Sequence, residues 1–262
     1  MARSLRERMR AGEPLIGSYV TIPSPEVVEV FAAAGMDYAV IDLQHSSPDW
    51  RTLAHMIRAA DSRGIAPVVR SYTHEPAVLL KILDLGAEGL VLPGVASAED
   101  IGAIASAAYY APLGRRGACG HTRIGAYNST RSEFPDHVRR QNERVFVWAL
   151  LEDPEAVARA GDIAAVQPGA SVIGVGRGDL STLLGLSGQI DHPKVIAAAE
   201  GVIAEVAARS NGLCASSVMV QRPSDIADWH RRGCRLFTYN ADAIFLTNAA
   251  REAVAAFRAA TG

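Results

Sequence analysis

Short apolar runs rich in Val and Ile alternate with longer segments of helical period along most of the chain. The runs are LIGSYV at 15–20, YAVIDL at 38–43, APVVR at 66–70, EGLVLP at 88–93, VFVWALL at 145–151, SVIGVG at 171–176, LCASSVMV at 213–220 and RLFTYN at 235–240. Continuous apolar runs are typical of parallel strands that are covered on both faces. Several intervening segments open with Pro or an acidic residue and end at Gly, as helices do.

Eight strand–helix units in 262 residues favour a (β/α)8 TIM barrel over an open doubly wound sheet. Because no break in composition marks a second domain, we expect one domain over residues 1–262. The one long stretch without periodicity, at about 112–142, is predicted to be an irregular loop. Its sequence GRRGACGHTRIGAYN favours a functional loop over a disordered one.

Charge and composition exclude several kinds of protein. The formal net charge of −2 gives no general attraction to nucleic acid or to an anionic membrane surface, and no apolar run is long enough to span a bilayer. We therefore expect a cytoplasmic protein without nucleic-acid or membrane partners. The three cysteines, Cys119, Cys214 and Cys234, lack CxxC spacing and are predicted to be small buried thiols.

Reactive side chains gather at the ends of the predicted strands. Asp42 and His45 follow the second strand, Arg70 closes the third, Glu152 follows the fifth and Asp179 follows the sixth. In a TIM barrel these strand ends share one rim, where active sites lie. Each residue has an ordinary alternative, such as a helix cap, a helix-dipole partner or a loop histidine. Caps do not, however, require two acids, an Arg and a His on the same rim.

Two carboxylates on neighbouring strand ends suit a hard divalent cation such as Mg²⁺ or Mn²⁺, with open coordination positions for substrate. An arginine beside them can stabilise an enolate, and a histidine can move a proton. This combination points to carbon–carbon bond chemistry next to a carbonyl. A Schiff-base mechanism is disfavoured, because the only lysines, Lys81 and Lys194, fall in predicted helices.

In order along the chain, six segments resemble the HpcH/HpaI aldolases, which are class II pyruvate aldolases. The segments are VIDLQHSSPD, APVVR, LKILDLGAEGLVLPGV, YYAPLGRRGACGHTRIGAYN, ALLED and GVGRGDLS. The resemblance implies a barrel of the phosphoenolpyruvate/pyruvate type with an exchanged C-terminal helix, in a trimer or hexamer. It also implies a divalent cation, Mg²⁺, Mn²⁺ or Co²⁺, and reversible cleavage of a 4-hydroxy-2-oxo acid to pyruvate, or a related 2-oxo acid, and an aldehyde.

The resemblance also implies roles for individual residues. Glu152 and Asp179 match metal ligands, and Arg70 matches the residue that contacts the 2-oxo group. His45 matches the base, which works through water. Asp42 and Asp84 match acids associated with that histidine, although Asp84 ends a predicted helix on the opposite rim and could reach a site only across a subunit contact. Gly178 falls where backbone N–H groups meet the substrate carboxylate.

Other positions leave the substrate open. Gln44, Leu150 and Arg177 depart from residues that many members carry. Arg116, His121, Arg123 and Tyr127 of the long loop are candidates for recognising a polar aldehyde, and ion pairs across an oligomer contact are the alternative. Two other functions also remain open: a lyase acting on acyl-CoA esters of the citryl or malyl type, and a barrel that binds metal and oxo acid without turnover.

Overall fold

Strand order along the chain is also strand order around the barrel. The computed structural model describes residues 3–128 and 134–262, in which β1 to β8 form a closed parallel barrel. The strands are β1 Leu15–Val20, β2 Tyr38–Asp42, β3 Ala66–Arg70, β4 Gly89–Leu92, β5 Phe146–Leu151, β6 Val172–Val175, β7 Ala215–Val220 and β8 Leu236–Ala241. The predicted (β/α)8 barrel is confirmed.

Helices cover the outside of this barrel. They are α1 Leu5–Arg10, α2 Pro25–Ala33, α3 Trp50–Arg63, α4 Pro76–Leu85, α5 Ala98–Ala108, α6 Phe134–Arg144, α7 Pro154–Ala158, α8 Ala160–Ala165, α9 Arg177–Leu183, α10 Pro193–Arg209, α11 Pro223–Arg231 and α12 Asp242–Thr261. A 3-10 turn covers Ala126–Asn128. No helix in the described ranges is both long enough and apolar enough to cross a lipid bilayer.

The apolar residues form two layers because strand side chains alternate between the two faces of the sheet. Tyr38, Val40, Phe146 and Trp148 belong to the inner layer, which fills the barrel. The other set, including Ile41, packs between the strands and the helices. The inner layer is a packed floor, so chemistry is confined to the rim above it.

Helix α1 closes the N-terminal rim of the barrel and was not predicted. Leu5 and Met9 are buried against the inner layer. Buried Glu88, just before β4, accepts hydrogen bonds from the Leu5 N–H (2.6 Å) and from Arg144 Nε (3.0 Å). Ser4 and Glu7 cap each other's backbone N–H groups. This S-x-x-E capping box was the sequence signal that could have identified the helix.

The prediction of an irregular loop at about 112–142 was wrong over its last third, because α6 covers Phe134–Arg144. Its sequence, FPDHVRRQNER, has no apolar stripe, and the residues that it buries are the polar Gln141 and Asn142. The search for hydrophobic period therefore missed it. Residues 129–133 of the predicted loop lie outside the described residues.

The prediction for the three cysteines was mostly wrong. The expectation of three buried thiols was wrong for Cys119, which is exposed, and for Cys214, which is half-buried; only Cys234 is buried.

Helix α12 packs through Phe245 against Phe31, at 5.9 Å between ring centroids, and against Tyr239, at 5.4 Å. Its remaining length leaves apolar side chains exposed, namely Leu246, Val254 and Phe257.

Candidate active site

Asp42 and Arg70 form the centre of the C-terminal rim. They are register partners at the ends of β2 and β3. Arg70 Nε and Nη2 donate to the two Asp42 oxygens at 2.8 and 2.6 Å, and Asp42 is fully buried. Asp42 Oδ1 also accepts the backbone N–H groups of Gln44 (2.9 Å) and His45 (3.3 Å). The carboxylate therefore caps the turn after β2 and also orients the arginine.

The electrostatics of this pair favour two charged groups. Burial acts to raise the pKa of Asp42, but the hydrogen bonds and charge of Arg70, together with the two backbone N–H groups, outweigh burial and hold the pKa below its ordinary value. Burial acts to lower the pKa of Arg70, and Asp42, together with Tyr19 and Glu152, more than offsets this effect. Arg70 is thus a fixed cation whose guanidinium plane is set by two parallel hydrogen bonds.

Tyr19 is a site residue that sequence reasoning missed. The Arg70 guanidinium lies over its ring, 4.4 Å from the centroid. Tyr19 is half-buried in β1, and burial raises the pKa of its phenol although the positive charge of Arg70 acts to lower it. An aromatic residue near the end of an inward-facing strand was the available signal, but the strand's apolar character concealed it. The ring supports the flat face of Arg70.

Glu152 follows β5 and faces the same rim. The N–H of Gly94 donates to Glu152 Oε2 at 3.0 Å. A Cβ on Gly176 would lie 2.6 Å from Glu152 Cγ, so glycine is required where the β6 turn passes the carboxylate. Burial first, and then the negative charge of Asp179, raise the pKa of Glu152. The neighbouring Asp153 instead caps α7 through the Ala156 N–H, at 2.8 Å.

Asp179 and Gly178 lie in the first turn of α9, after β6, and both are exposed. In the described part of the chain, no hydrogen bond or ion pair occupies the Asp179 carboxylate. Apart from its chain neighbours and the backbone of its own helix, no atom lies within 4 Å of the point where a Gly178 side chain would begin, so there is open space at this position. The Asp179 carboxylate is therefore available to bind an external cation.

The two carboxylates fit a divalent cation. The charge of Asp179 disfavours ionised Glu152, and a bound cation would remove this repulsion. Carboxylate oxygens are the ligands preferred by Mg²⁺ and Mn²⁺. Within residues 3–128 and 134–262 there is no group of three or more His, Cys, Asp or Glu side chains that could hold a metal ion. Two protein ligands would leave coordination positions for substrate.

His45 lies in the turn after β2, next to Asp42. Its backbone is held by Asp42, and its side chain is exposed. Gln44, next to it, has a buried Oε1 with no hydrogen-bond partner among the described residues. Leu150, two residues before Glu152, belongs to the inner apolar layer. Both lysines are exposed on helices, so neither can form a Schiff base inside the barrel.

Within one chain, Asp84 and Arg123 are not brought to this rim. Asp84 lies in the last turn of α4 and pairs with buried Arg116 at 2.9 Å. Arg123 pairs with Asp61 near the end of α3 and donates to the Leu85 carbonyl at 3.2 Å. The C-terminal ends of these helices lie at the opposite rim. Any role of the two residues in catalysis would require a neighbouring subunit.

Comparison with known proteins identifies the family. The profile of HpcH/HpaI aldolase/citrate lyase matches residues 15–249. A pyruvate aldolase of Rhizobium etli is 31% identical over 198 residues, 76% of each chain. A hydroxypyruvate/pyruvate aldolase of Delftia acidovorans is 29% identical, covering 98% of this chain and 93% of the relative.

A solved structure gives the same result. The HpcH/HpaI aldolase from Desulfitobacterium hafniense superposes with a TM-score of 0.90 at 28% identity, covering 98% of this chain and 97% of the other. The resemblance inferred from the sequence motifs is confirmed. This chain belongs to the HpcH/HpaI aldolase/citrate lyase family.

Proposed function

We propose that this chain is a class II aldolase that reversibly cleaves a 4-hydroxy-2-oxo acid to pyruvate, or a related 2-oxo acid, and an aldehyde. The observation that carries the proposal is the pair of carboxylates, Glu152 and Asp179, which follow the neighbouring strands β5 and β6 at the rim where Asp42 holds Arg70 in place. The printed names of the relatives, pyruvate aldolase and hydroxypyruvate/pyruvate aldolase, support the same reaction class.

The proposed cofactor is Mg²⁺ or Mn²⁺, held by Glu152 and Asp179. When bound, such a cation would supply Lewis-acid polarisation of the 2-oxo group. Arg70 donates to the 2-oxo oxygen and shares the negative charge that develops there during cleavage. The open space at Gly178 accommodates the substrate carboxylate. These contacts orient the bond between carbon 3 and carbon 4 for cleavage.

His45 is the proposed proton carrier. In the cleavage direction it accepts the proton of the 4-hydroxyl group as the bond between carbon 3 and carbon 4 breaks and the aldehyde forms, and the resulting enolate takes a proton at carbon 3 to give pyruvate. Condensation reverses both proton transfers. Its exposed side chain can exchange protons with solvent between turnovers. Asp42, through the backbone of the turn, fixes the point from which His45 extends.

Neighbouring subunits complete the proposal. Helix α12 exposes Leu246, Val254 and Phe257, which suits exchange with a second copy in a trimer or hexamer. Such an assembly would allow Asp84 and Arg123 to reach the site of the next subunit, where Arg123 could recognise a polar aldehyde. Light scattering of the purified protein would test the assembly.

The test of the function is hydrogen exchange at the pyruvate methyl group. Purified protein freed of metal by a chelator is incubated with pyruvate in D₂O, with and without Mn²⁺ or Mg²⁺, and methyl deuteration is followed by NMR. We expect deuteration only with metal and protein together, because enolate formation requires both. Undiminished activity after metal removal, or no deuteration with metal, would contradict the proposal.

A second candidate is an acyl-CoA ester lyase, since the family description includes citrate lyase. The same protein would be offered malyl-CoA and citryl-CoA, and formation of acetyl-CoA together with glyoxylate or oxaloacetate would be followed by chromatography. Acetyl-CoA formation without turnover of 4-hydroxy-2-oxo acids would favour this alternative over the aldolase.

A further inference from the structure

Arg177 lies in the turn that carries Asp179, one of the two proposed metal ligands. It is the first residue of α9, directly after Gly176, which packs against Glu152, and two residues before Asp179. Its side chain is 5% exposed. Because a buried guanidinium loses its hydration, its N–H donors need specific acceptors within the protein. The partners of Arg177 therefore indicate what the side chain does.

The Arg177 guanidinium connects the turn to two other segments of the rim. Nη2 donates to the carbonyl of Met219, near the end of β7, at 2.6 Å. Nη1 donates to the carbonyl of Ile190 at 3.3 Å and lies 3.4 Å from Asp191 Oδ1. Both acceptor segments follow α9 in sequence, so these bonds tie the Asp179 turn to the next strand and to the loop before α10.

Stacking on an indole fixes the plane of this guanidinium. Arg177 lies over the Trp229 ring of α11, 5.0 Å from its centroid. Arg232 lies 4.8 Å from the same centroid and is itself paired with Asp228 and Glu200, both at 2.6 Å. The guanidinium is thus restrained both in its plane and along its hydrogen bonds.

The rest of α9 provides few other restraints at this end. No side chain caps the helix at Gly176. The hydroxyl groups of Ser181 and Thr182 donate to the Gly178 carbonyl, so those bonds stay within the helix. Leu180, which is buried, anchors the following turn. Arg177 is therefore the side chain that links the first turn, with its exposed Asp179, to neighbouring elements.

We propose that Arg177 is a positioning residue that sets the separation of Asp179 from Glu152 and thereby the affinity for the divalent cation. This inference rests on the proposed function. Metal affinity depends on ligand oxygens being held near the required separation, and residues that orient ligands from behind contribute strongly to it. Arg177 contacts neither substrate nor cation; it acts through the backbone of the turn.

The test compares Mn²⁺ binding in Arg177→Met, which keeps length but removes all donors, and Arg177→Lys, which keeps the charge but not the planar fork. The matched control is Arg222→Gln, because Arg222 pairs with the same Asp191 at 3.0 Å but is exposed and does not touch the turn. Mn²⁺ dissociation constants are measured by electron paramagnetic resonance of free Mn²⁺, and thermal unfolding monitors the fold.

We expect roughly tenfold weaker Mn²⁺ binding for Arg177→Met, a smaller weakening for Arg177→Lys and no change for Arg222→Gln. The KM for the oxo acid should rise at limiting Mn²⁺, and kcat should recover at saturating Mn²⁺, a rescue that a merely unfolded protein would not show. Should Arg177→Met fail to fold, Arg177→Lys decides. Folded Arg177 variants with wild-type Mn²⁺ affinity would overturn the inference.

The failure of the proposed function gives a different result. Wild-type protein that binds no Mn²⁺ would remove the metal site altogether, and the role of Arg177 with it. Wild-type binding that Glu152→Gln abolishes, with both Arg177 variants unchanged, would retain the proposed function and reject only the positioning role.

Discussion

Asp42 and Glu88 are both buried carboxylates, but they lie at opposite rims of the barrel and have opposite electrostatics. Asp42 accepts two backbone N–H groups and Glu88 accepts one, and each carboxylate also pairs with an arginine. Arg70, which is 14% exposed, gives Asp42 two hydrogen bonds, whereas Arg144, which is 41% exposed, gives Glu88 one. Burial and the nearby charge of Asp61 raise the pKa of Glu88, while the pKa of Asp42 is lowered.

The difference shows that burial alone does not decide the protonation state of a carboxyl group. A guanidinium held in two-point contact and shielded from water outweighs desolvation, whereas a half-exposed one with a single contact does not. At the C-terminal rim the result is a pair that is charged at neutral pH, with an arginine suited to an anionic substrate. At the N-terminal rim, the Glu88 carboxylate accepts hydrogen bonds that connect α1 and α6 to the start of β4.

The largest expected effect separates the two rims by function. Glu152→Gln should lower aldolase turnover by about a thousandfold or more and abolish Mn²⁺ binding, because it removes one of two proposed ligands. Glu88→Gln, its control at the opposite rim, should stay within about threefold of wild-type turnover. Steady-state kinetics with purified proteins would check this, and equal losses in both variants would break the functional division.

Asp42→Asn should reduce the free energy of unfolding by about 3 kcal/mol at neutral pH, because Arg70 is left buried without its counterion. A lowered pKa in the folded state gives stability that is present above the unfolded-state pKa and is lost as pH falls through the folded-state pKa. The deficit should therefore shrink below about pH 4. Urea unfolding at several pH values measures it; a deficit that grows towards acid would refute the assignment.

His45→Ala should lower kcat by about a hundredfold or more, the usual contribution of a positioned proton carrier. Mn²⁺ affinity and thermal unfolding should stay unchanged, because the His45 side chain is exposed and is not a proposed ligand. Single-turnover kinetics beside the binding assay would separate these quantities. Wild-type turnover in the variant would remove His45 from the mechanism and leave Asp42 as a structural cap.

The smallest expected effect is a change in how the free energy of unfolding depends on pH in Glu88→Gln. The folded-state pKa of Glu88 is raised, so its contribution to stability is complete below the unfolded-state pKa and is lost as pH rises through the folded-state pKa. A neutral Gln does not undergo this loss. The variant should gain stability relative to wild type from about pH 4 upwards, the reverse of Asp42→Asn. If the free energy of unfolding of Glu88→Gln and of wild type changed with pH in parallel, the contrast between the rims would be refuted.

The sequence predicted the barrel well because its strands are continuous apolar runs. The elements that it missed lack such a signal: α6 is mostly polar and has no apolar stripe, and α1 is short, so only the Ser4–Glu7 capping box marked it. Both depend on a long-range partner, Glu88, which contacts Leu5 and Arg144 across the fold. Local pattern cannot report a contact between residues 83 positions apart.

For the site, the positions of Asp42, Arg70 and Glu152 at the ends of predicted parallel strands were enough to predict that they lie on one rim, because the ends of parallel strands share a rim. It could not supply Tyr19, since stacking depends on the direction of a side chain, or the Gly94 N–H, since a backbone donor has no residue type to recognise. The distant placement of Arg123 arises from a loop that folds back on α3 and α4, and loop paths are set by tertiary contacts.

The packed floor made by Tyr38, Phe146 and Trp148, closed from below by Leu5 and Met9, gives the catalytic rim a single approach. Reactants and products would then enter and leave through the same opening above Arg70. Under the proposed function, in which Arg70 holds the 2-oxo group, the aldehyde would be free to leave by this opening before the 2-oxo acid.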